Sequence, residues 1–332
     1  MTKRSVVLLV VVVGLLAGCG PASSPPEPAQ AVTLAMGYIP NVQFAPFYVA
    51  VEQGYFADEG IEIIFDYGWE TDLLKLVGSD TLQFAIASGD QVILAREQEL
   101  PVVYVLNWYR RFPVCIMSLP QVGIQAPADL VGRKVGTPAT YGASYIGWKA
   151  FLDAAGLYEH DIELLSIGYT QVAALTEGQV DAALCYAMNE PVQMQVSGQP
   201  VDVIYVADYA NLASNGLITN EKSVRERPEL VQGMVRAALR GLAYTLAHPD
   251  EAFTISLQYV PEAASDEATK AVNLAILNKS LEFWQAAPGD LGRSDEAVWL
   301  ASQRIMQQMG LVSGEADVRA MFDNQFIVEV EP

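Results

Sequence analysis

Residues 32–107 read VTLAMGYIPNVQFAPFYVAVEQGYFADEGIEIIFDYGWETDLLKLVGSDTLQFAIASGDQVILAREQELPVVYVLN, and their rhythm decides the fold. Apolar runs at 32–36, 61–67, 82–87 and 102–107 have strand character. Between them, residues 47–53, 71–77 and 91–98 carry helical patterns, the first opened by Pro46 and stopped by Gly54. Strand and helix in alternation mean βαβ units and a mainly parallel sheet.

The alternation restarts after Pro120. Residues 134–137 are strand-like, and 142–155 form a helical pattern ended by Gly156. Segments 162–167, 171–177, 181–186, 190–196 and 201–206 continue the rhythm. Beyond Asn220 the pattern is helical: Pro228 suits a first turn, and Leu230, Met234, Ala238, Leu242 and Leu246 keep helical spacing up to Pro249. The two α/β stretches echo one another, with Gly78-Ser79-Asp80-Thr81-Leu82-Gln83-Phe84-Ala85 answered by Gly178-Gln179-Val180-Asp181-Ala182-Ala183. A chain of 332 residues exceeds what one core usually holds, so two lobes are expected.

Ahead of the first strand the chain is of another kind. Lys3 and Arg4 form a basic head, 6–13 is an unbroken apolar run, and Leu16-Ala17-Gly18-Cys19 has the form of a lipobox. The apolar run is too short for a spanning helix, which needs roughly 20 residues. Residues 1–18 are therefore expected to be a secretory signal, with Cys19 becoming the lipid-bearing first residue of the mature chain. Residues 19–31 are Pro- and Ser-rich and read as a lipidated flexible tether. These features place the protein on the extracytoplasmic face of the cell membrane.

Without residues 1–18 the chain holds 17 basic and 39 acidic residues, a net charge of −22. So acidic a surface repels nucleic acid and anionic headgroups. Cys115 and Cys185 each lie in an apolar run and read as buried free thiols, with one disulfide between them the alternative. His160 lies in a turn and His248 precedes Pro249 at a helix end, so neither suits a metal site or a triad. No metal, cofactor or catalytic residue is expected.

Several segments resemble a known family. Met36-Gly37-Tyr38-Ile39-Pro40-Asn41, Phe44-Ala45-Pro46-Phe47-Tyr48-Val49-Ala50, Gly54-Tyr55-Phe56, Phe84-Ala85-Ile86-Ala87 and Asp129-Leu130-Val131-Gly132-Arg133-Lys134-Val135-Gly136 are similar to the NMT1/THI5-like solute-binding proteins. The resemblance runs over about 33–250. It implies a type 2 periplasmic-binding-protein fold, α/β, with two lobes joined by two crossover hinge strands near 112–120 and 206–217. Lobe one would take 32–113 plus 216–332, and lobe two 114–215. Members deliver small molecules to ABC permeases, and this chain looks most like the riboflavin-binding lipoproteins. Its implied partners are therefore riboflavin or a similar planar heterocycle, the permease, and the membrane through Cys19, with the protein itself a monomer. Binding of a thiamine pyrimidine precursor is the alternative. A related branch makes that pyrimidine with a histidine and a cysteine-rich motif, from which this chain departs.

In parallel sheets ligands lie beyond the carboxyl ends of the strands. Those positions in lobe one are Tyr38 and Asn41, Trp69, Ser88 with Asp90, and Asn107-Trp108-Tyr109. In lobe two they are Thr137 with Tyr141 and Tyr145, then Tyr169, then Tyr186 with Asn189 and Glu190. Recurrent rings suit a flat heterocycle, each offset stack adding roughly 0.5–1.5 kcal/mol beyond area burial. Trp69 and Trp108, flanked by polar residues, are the first choices for stacking, whereas Phe44, Phe47, Tyr48 and Trp148 read as packing. Asp90 and Glu190 suit helix first turns as well as ligand contacts. The turn 136–142 contains no basic residue, which favours an uncharged ligand over a phosphorylated one.

Overall fold

A computed structural model describes residues 29–287 and 289–330. The expected signal, Cys19 and most of the expected tether lie outside the described residues.

The first alternating stretch folds as read. Strands β1 (Gln30–Met36), β2 (Ile61–Tyr67), β3 (Phe84–Ser88) and β4 (Val102–Asn107) are linked by α1 (Ala45–Glu52), α2 (Tyr55–Asp58), α3 (Glu70–Gly78) and α4 (Gly89–Glu97). Pro46 sits in the first turn of α1, where its missing N–H costs nothing. Folded chain begins at Gln30, two residues before the expected start.

The second stretch supplies β5 (Val114–Ser118), β6 (Lys134–Thr137), α5 (Ala143–Ala155), β7 (Glu163–Ser166), α6 (Gln171–Thr176), β8 (Ala182–Tyr186), α7 (Glu190–Val196) and β9 (Asp202–Tyr205). Gly156, left-handed with φ 67°, ends α5 by turning its last amides back on the helix. The chain then returns through β10 (Asn215–Asn220) to a helical tail: α8 (Glu221–Glu226), α9 (Pro228–Ala247), α10 (Pro249–Ser256), α11 (Glu267–Trp284) and α12 (Glu296–Gln308).

Two five-stranded sheets result, ordered β2-β1-β3-β10-β4 and β7-β6-β8-β5-β9. The orders are equivalent: β8 holds in the second sheet the place of β3 in the first, which is where the sequence echo falls. The sheets are not wholly parallel. β10 runs antiparallel to β3 and β4, and β5 antiparallel to β8 and β9. Each reversed strand is the first one laid down after the chain changes sheet. This is the two-lobed α/β architecture of type 2 periplasmic binding proteins.

The outward crossing comes earlier than expected. β4 ends at Asn107 and β5 starts at Val114, so the chain passes between sheets over 108–113, and most of the expected 112–120 is strand. The return passes over 206–214.

Packing follows strand alternation. In the first sheet Leu34, Met36, Phe84, Ile86 and Leu217 bury against α1 and α9, while Ala35, Ala85, Ala87 and Ile218 face the cluster holding Leu73, Val77 and Trp299. α9 and α10 pack on α1, and α11 touches both the turn at 42–44 and α7, so the tail bears on both lobes. Cys115 and Cys185 are paired across β5 and β8, buried and free, with Sγ atoms 3.4 Å apart. Among the described residues no helix is long and apolar enough to cross a membrane.

Candidate ligand-binding cleft

The carboxyl ends of β1–β4 and of β6–β8 converge on one cleft, where loop and first-turn side chains from both lobes meet. Counted with its open mouth, the space between the walls is about 770 Å³. Because β10 runs against its neighbours, its amino end, Asn215, lies at this same edge.

Lobe one contributes a polar network centred on Glu70, in which Asp90 Oδ2 is buried without a partner among the described residues. Glu70, first residue of α3, accepts from Ser88 N–H at 3.4 Å, Ser88 Oγ–H at 3.2 Å, Asn215 Nδ2–H at 2.8 Å and Gln91 Nε2–H. Thr71 Oγ1 fixes Gln91 by donating to its Oε1 at 2.6 Å. Gly37 permits this packing: a Cβ there would lie 2.4 Å from Glu70 Cγ and 2.4 Å from Ile86 O. Burial, then the nearby Asp90, pushes Glu70 up to about 8. Asp90, buried below in hydrogen-bond contact with Ser88 Oγ, is raised to about 7 by burial.

Lobe two is less saturated. Among the described residues Glu190, first residue of α7, accepts only from backbone N–H groups, that of Tyr186 at 3.2 Å and its own, and burial lifts it to about 7. Asn189 is 6% exposed, and its Oδ1 is buried with no hydrogen-bond partner among the described residues. Tyr186 Oη–H donates to Asn215 Oδ1 at 3.3 Å and so ties lobe two to the Glu70 network. Burial raises the phenols of Tyr38, Tyr169 and Tyr186, which keeps them protonated and able to donate. Gly142 gives the amino end of α5 no side-chain cap, and a charge placed at such an end gains about 0.3–1 kcal/mol.

Aromatic rings span the mouth. Trp69 of lobe one stacks on Tyr169 of lobe two, with centroids 4.8 Å apart and planes 15° from parallel. Tyr38 meets Tyr169 edge-on at 4.9 Å, and Trp69 meets Tyr141 at 5.6 Å. Rings already in contact leave no room for a third between them. Deeper in, Trp108 packs against Phe44, Phe47 and Trp284.

The NMT1/THI5 like family matches residues 41–252. The chain belongs to that family. It is 42% identical to the riboflavin-binding protein RibY of Chloroflexus aurantiacus, over 98% of either chain. It is 30% identical to a formylaminopyrimidine-binding protein of Halalkalibacterium halodurans, over 90% of this chain and 92% of that one. Among solved structures, the alkanesulfonate-binding protein SsuA from Xanthomonas axonopodis pv. citri, bound to MOPS, superposes with a TM-score of 0.69 over 89% of this chain and 98% of its own, at 13% identity. That last likeness is one of fold.

In this NMT1/THI5-like chain the cleft is lined by nine of the strand-end residues read from the sequence: Tyr38, Trp69, Trp108, Tyr109, Tyr141, Tyr169, Tyr186, Asn189 and Glu190. Phe44, expected to be packing beside the first helix start, lines it too. The other six do not line it, each for a physical reason. Asn41 caps the turn at 42–44, with its Oδ1 accepting Gln43 N–H at 2.9 Å. Ser88 and Asp90 lie under the Glu70 network. Asn107 continues the sheet, its N–H donating to Gly292 O at 2.8 Å. Thr137 Oγ1 donates to Ala139 O at 2.9 Å, and Tyr145 points along α5 to Glu159 at 3.4 Å. Trp69 and Trp108, the expected stackers, are engaged by Tyr169 and by the core. Glu70, Gln91 and Asn215 were missed: the first two resemble ordinary first-turn residues, and the third lies at the amino end of a strand. Among the described residues no Lys, Arg or His lines the cleft. Arg111 pairs with Asp208 at 2.5 Å, and Arg110 donates to Arg293 O at 2.5 Å.

Proposed function

We propose that this protein is the substrate-binding component of an ABC importer and that its cargo is riboflavin. The reading is carried by the full-length 42% identity to a riboflavin-binding protein, joined to a cleft lined with aromatics and free of cationic side chains. A flat, uncharged ring system with polar edges is the ligand such walls favour. The lobes close over it, Tyr38, Tyr141, Tyr186, Asn189 and Glu190 contact it, and the closed form docks on the permease. No bond is made or broken. Cys19 holds the monomeric protein to the extracytoplasmic face of the cell membrane through lipid, a reading that rests on the lipobox-like sequence alone.

A thiamine pyrimidine precursor is the second reading, favoured by the 30% identity to a formylaminopyrimidine-binding protein. Titration of the full-length chain in detergent with each compound separates them. Riboflavin is expected to bind at micromolar concentration or below, quenching flavin fluorescence and raising the melting temperature. Saturable binding of hydroxymethylpyrimidine, with none of riboflavin, would move the cargo to the thiamine branch.

A further inference from the structure

Resting on the reading of the cleft as a site for a planar heterocycle, we propose that Asn189 and Glu190 are its specificity-determining pair. They admit an uncharged ligand that presents N–H or O–H donors and reject the phosphate monoester of the same molecule.

The two carboxylates of the cleft have different tasks. Glu70 is saturated by donors from Ser88, Gln91 and Asn215, and so has little capacity left for a ligand. Among the described residues Glu190 has only backbone N–H partners, and the adjoining Asn189 Oδ1 is buried without any. A buried acceptor without a donor is costly and rare in folded proteins. Side by side at the start of α7, these acceptors are paired when a ligand brings donors to them.

A phosphate monoester carries about −1.5 to −2 charges at neutral pH. It would enter beside Glu190 with no Lys, Arg or His among the described residues of the cleft wall, and Arg110 and Arg111, which follow Tyr109 in sequence, are already engaged. Stripping water from an anion without a counter-charge is penalised far more than the uncapped end of α5 can offset. Where the cargo arrives phosphorylated, a phosphomonoester hydrolysis must therefore precede capture.

The test is equilibrium binding to the full-length chain, using riboflavin against flavin mononucleotide and hydroxymethylpyrimidine against its phosphate. Within the pair that binds, the uncharged member is expected to bind at least about 100-fold more tightly. Glu190→Gln removes the charge and keeps the shape, and is expected to narrow that ratio about tenfold. Asn189→Ala is expected to weaken the uncharged member about tenfold. Equal affinity for both members in the natural protein overturns the proposal even if a variant fails to fold. An unchanged ratio in a folded Glu190→Gln variant overturns the role of Glu190. Binding confined to the pyrimidine pair sinks the riboflavin reading alone, with the preference still measured. Binding of no compound sinks both.

Discussion

The two lobes share a strand order and differ in how their cleft walls are finished. In lobe one Glu70 is tied down by three side chains, and Trp108 is locked among Phe44, Phe47 and Trp284. In lobe two Glu190 has backbone partners only, and Asn189 Oδ1 has none among the described residues. Equivalent topology thus yields one cleft glutamate held by side chains and one held by backbone alone, although lobe one too has a buried acceptor without a partner among the described residues, Asp90 Oδ2. The tail explains part of this difference: α9 and α10 add their packing to lobe one through α1.

The largest effect expected to sharpen the comparison is that of pH. Glu70 at about 8, and Asp90 and Glu190 at about 7, lie above their ordinary values of 4.5, 3.8 and 4.5. Such groups favour the fold while protonated. Their contribution is complete below their ordinary range and is lost as pH rises through 7 to 8. At about 1.4 kcal/mol per pKa unit, urea denaturation is expected to show a fall of several kcal/mol from pH 5 to 8. Glu70 is raised further than Glu190, so Glu70→Gln should flatten the slope more than Glu190→Gln. Equal slopes would erase the distinction between the walls.

Next comes outright removal. At pH 6, Glu70→Ala strands the donors of Ser88, Gln91 and Asn215 and is expected to cost about 2–4 kcal/mol of stability. Glu190→Ala should cost under about 1 kcal/mol and act on binding instead. Calorimetric melts that ranked the two in the opposite order would break the comparison. Gly37→Ala places a methyl group 2.4 Å from Glu70 Cγ and from Ile86 O, for an expected loss of about 1–3 kcal/mol in urea midpoints. Smallest is the bridge between the lobes. A double-mutant cycle on Trp69 and Tyr169, read by chemical denaturation, is expected to return a coupling of about 0.5–1.5 kcal/mol. Zero coupling would mean that the stack contributes nothing to holding the lobes together.

Much of the site was legible because strand ends can be counted from sequence. Tyr38, Tyr141, Tyr186, Asn189 and Glu190 follow strands whose carboxyl ends face the cleft. Asn215 was hidden because β10 is reversed, and a rule about carboxyl ends passes over a strand that arrives the other way. Asn41, Thr137 and Tyr145 satisfied the rule and still turned away, each drawn to a partner close by in sequence. Glu70 gave no signal, since an acid in a helix first turn is an ordinary surface pattern.

Sequence by itself determined the alternation of strand and helix, the position of most elements within a few residues, and the absence of cationic residues from the 136–142 turn. Those properties are local, set by apolar periodicity, proline, glycine and charge. Tertiary structure alone decided that Trp69 meets Tyr169, that Trp108 belongs to the core, and that Glu70 is saturated while Glu190 is not. Each of these depends on which distant segments share a sheet edge, and two chain crossings and a reversed strand settle that beyond the reach of any local pattern.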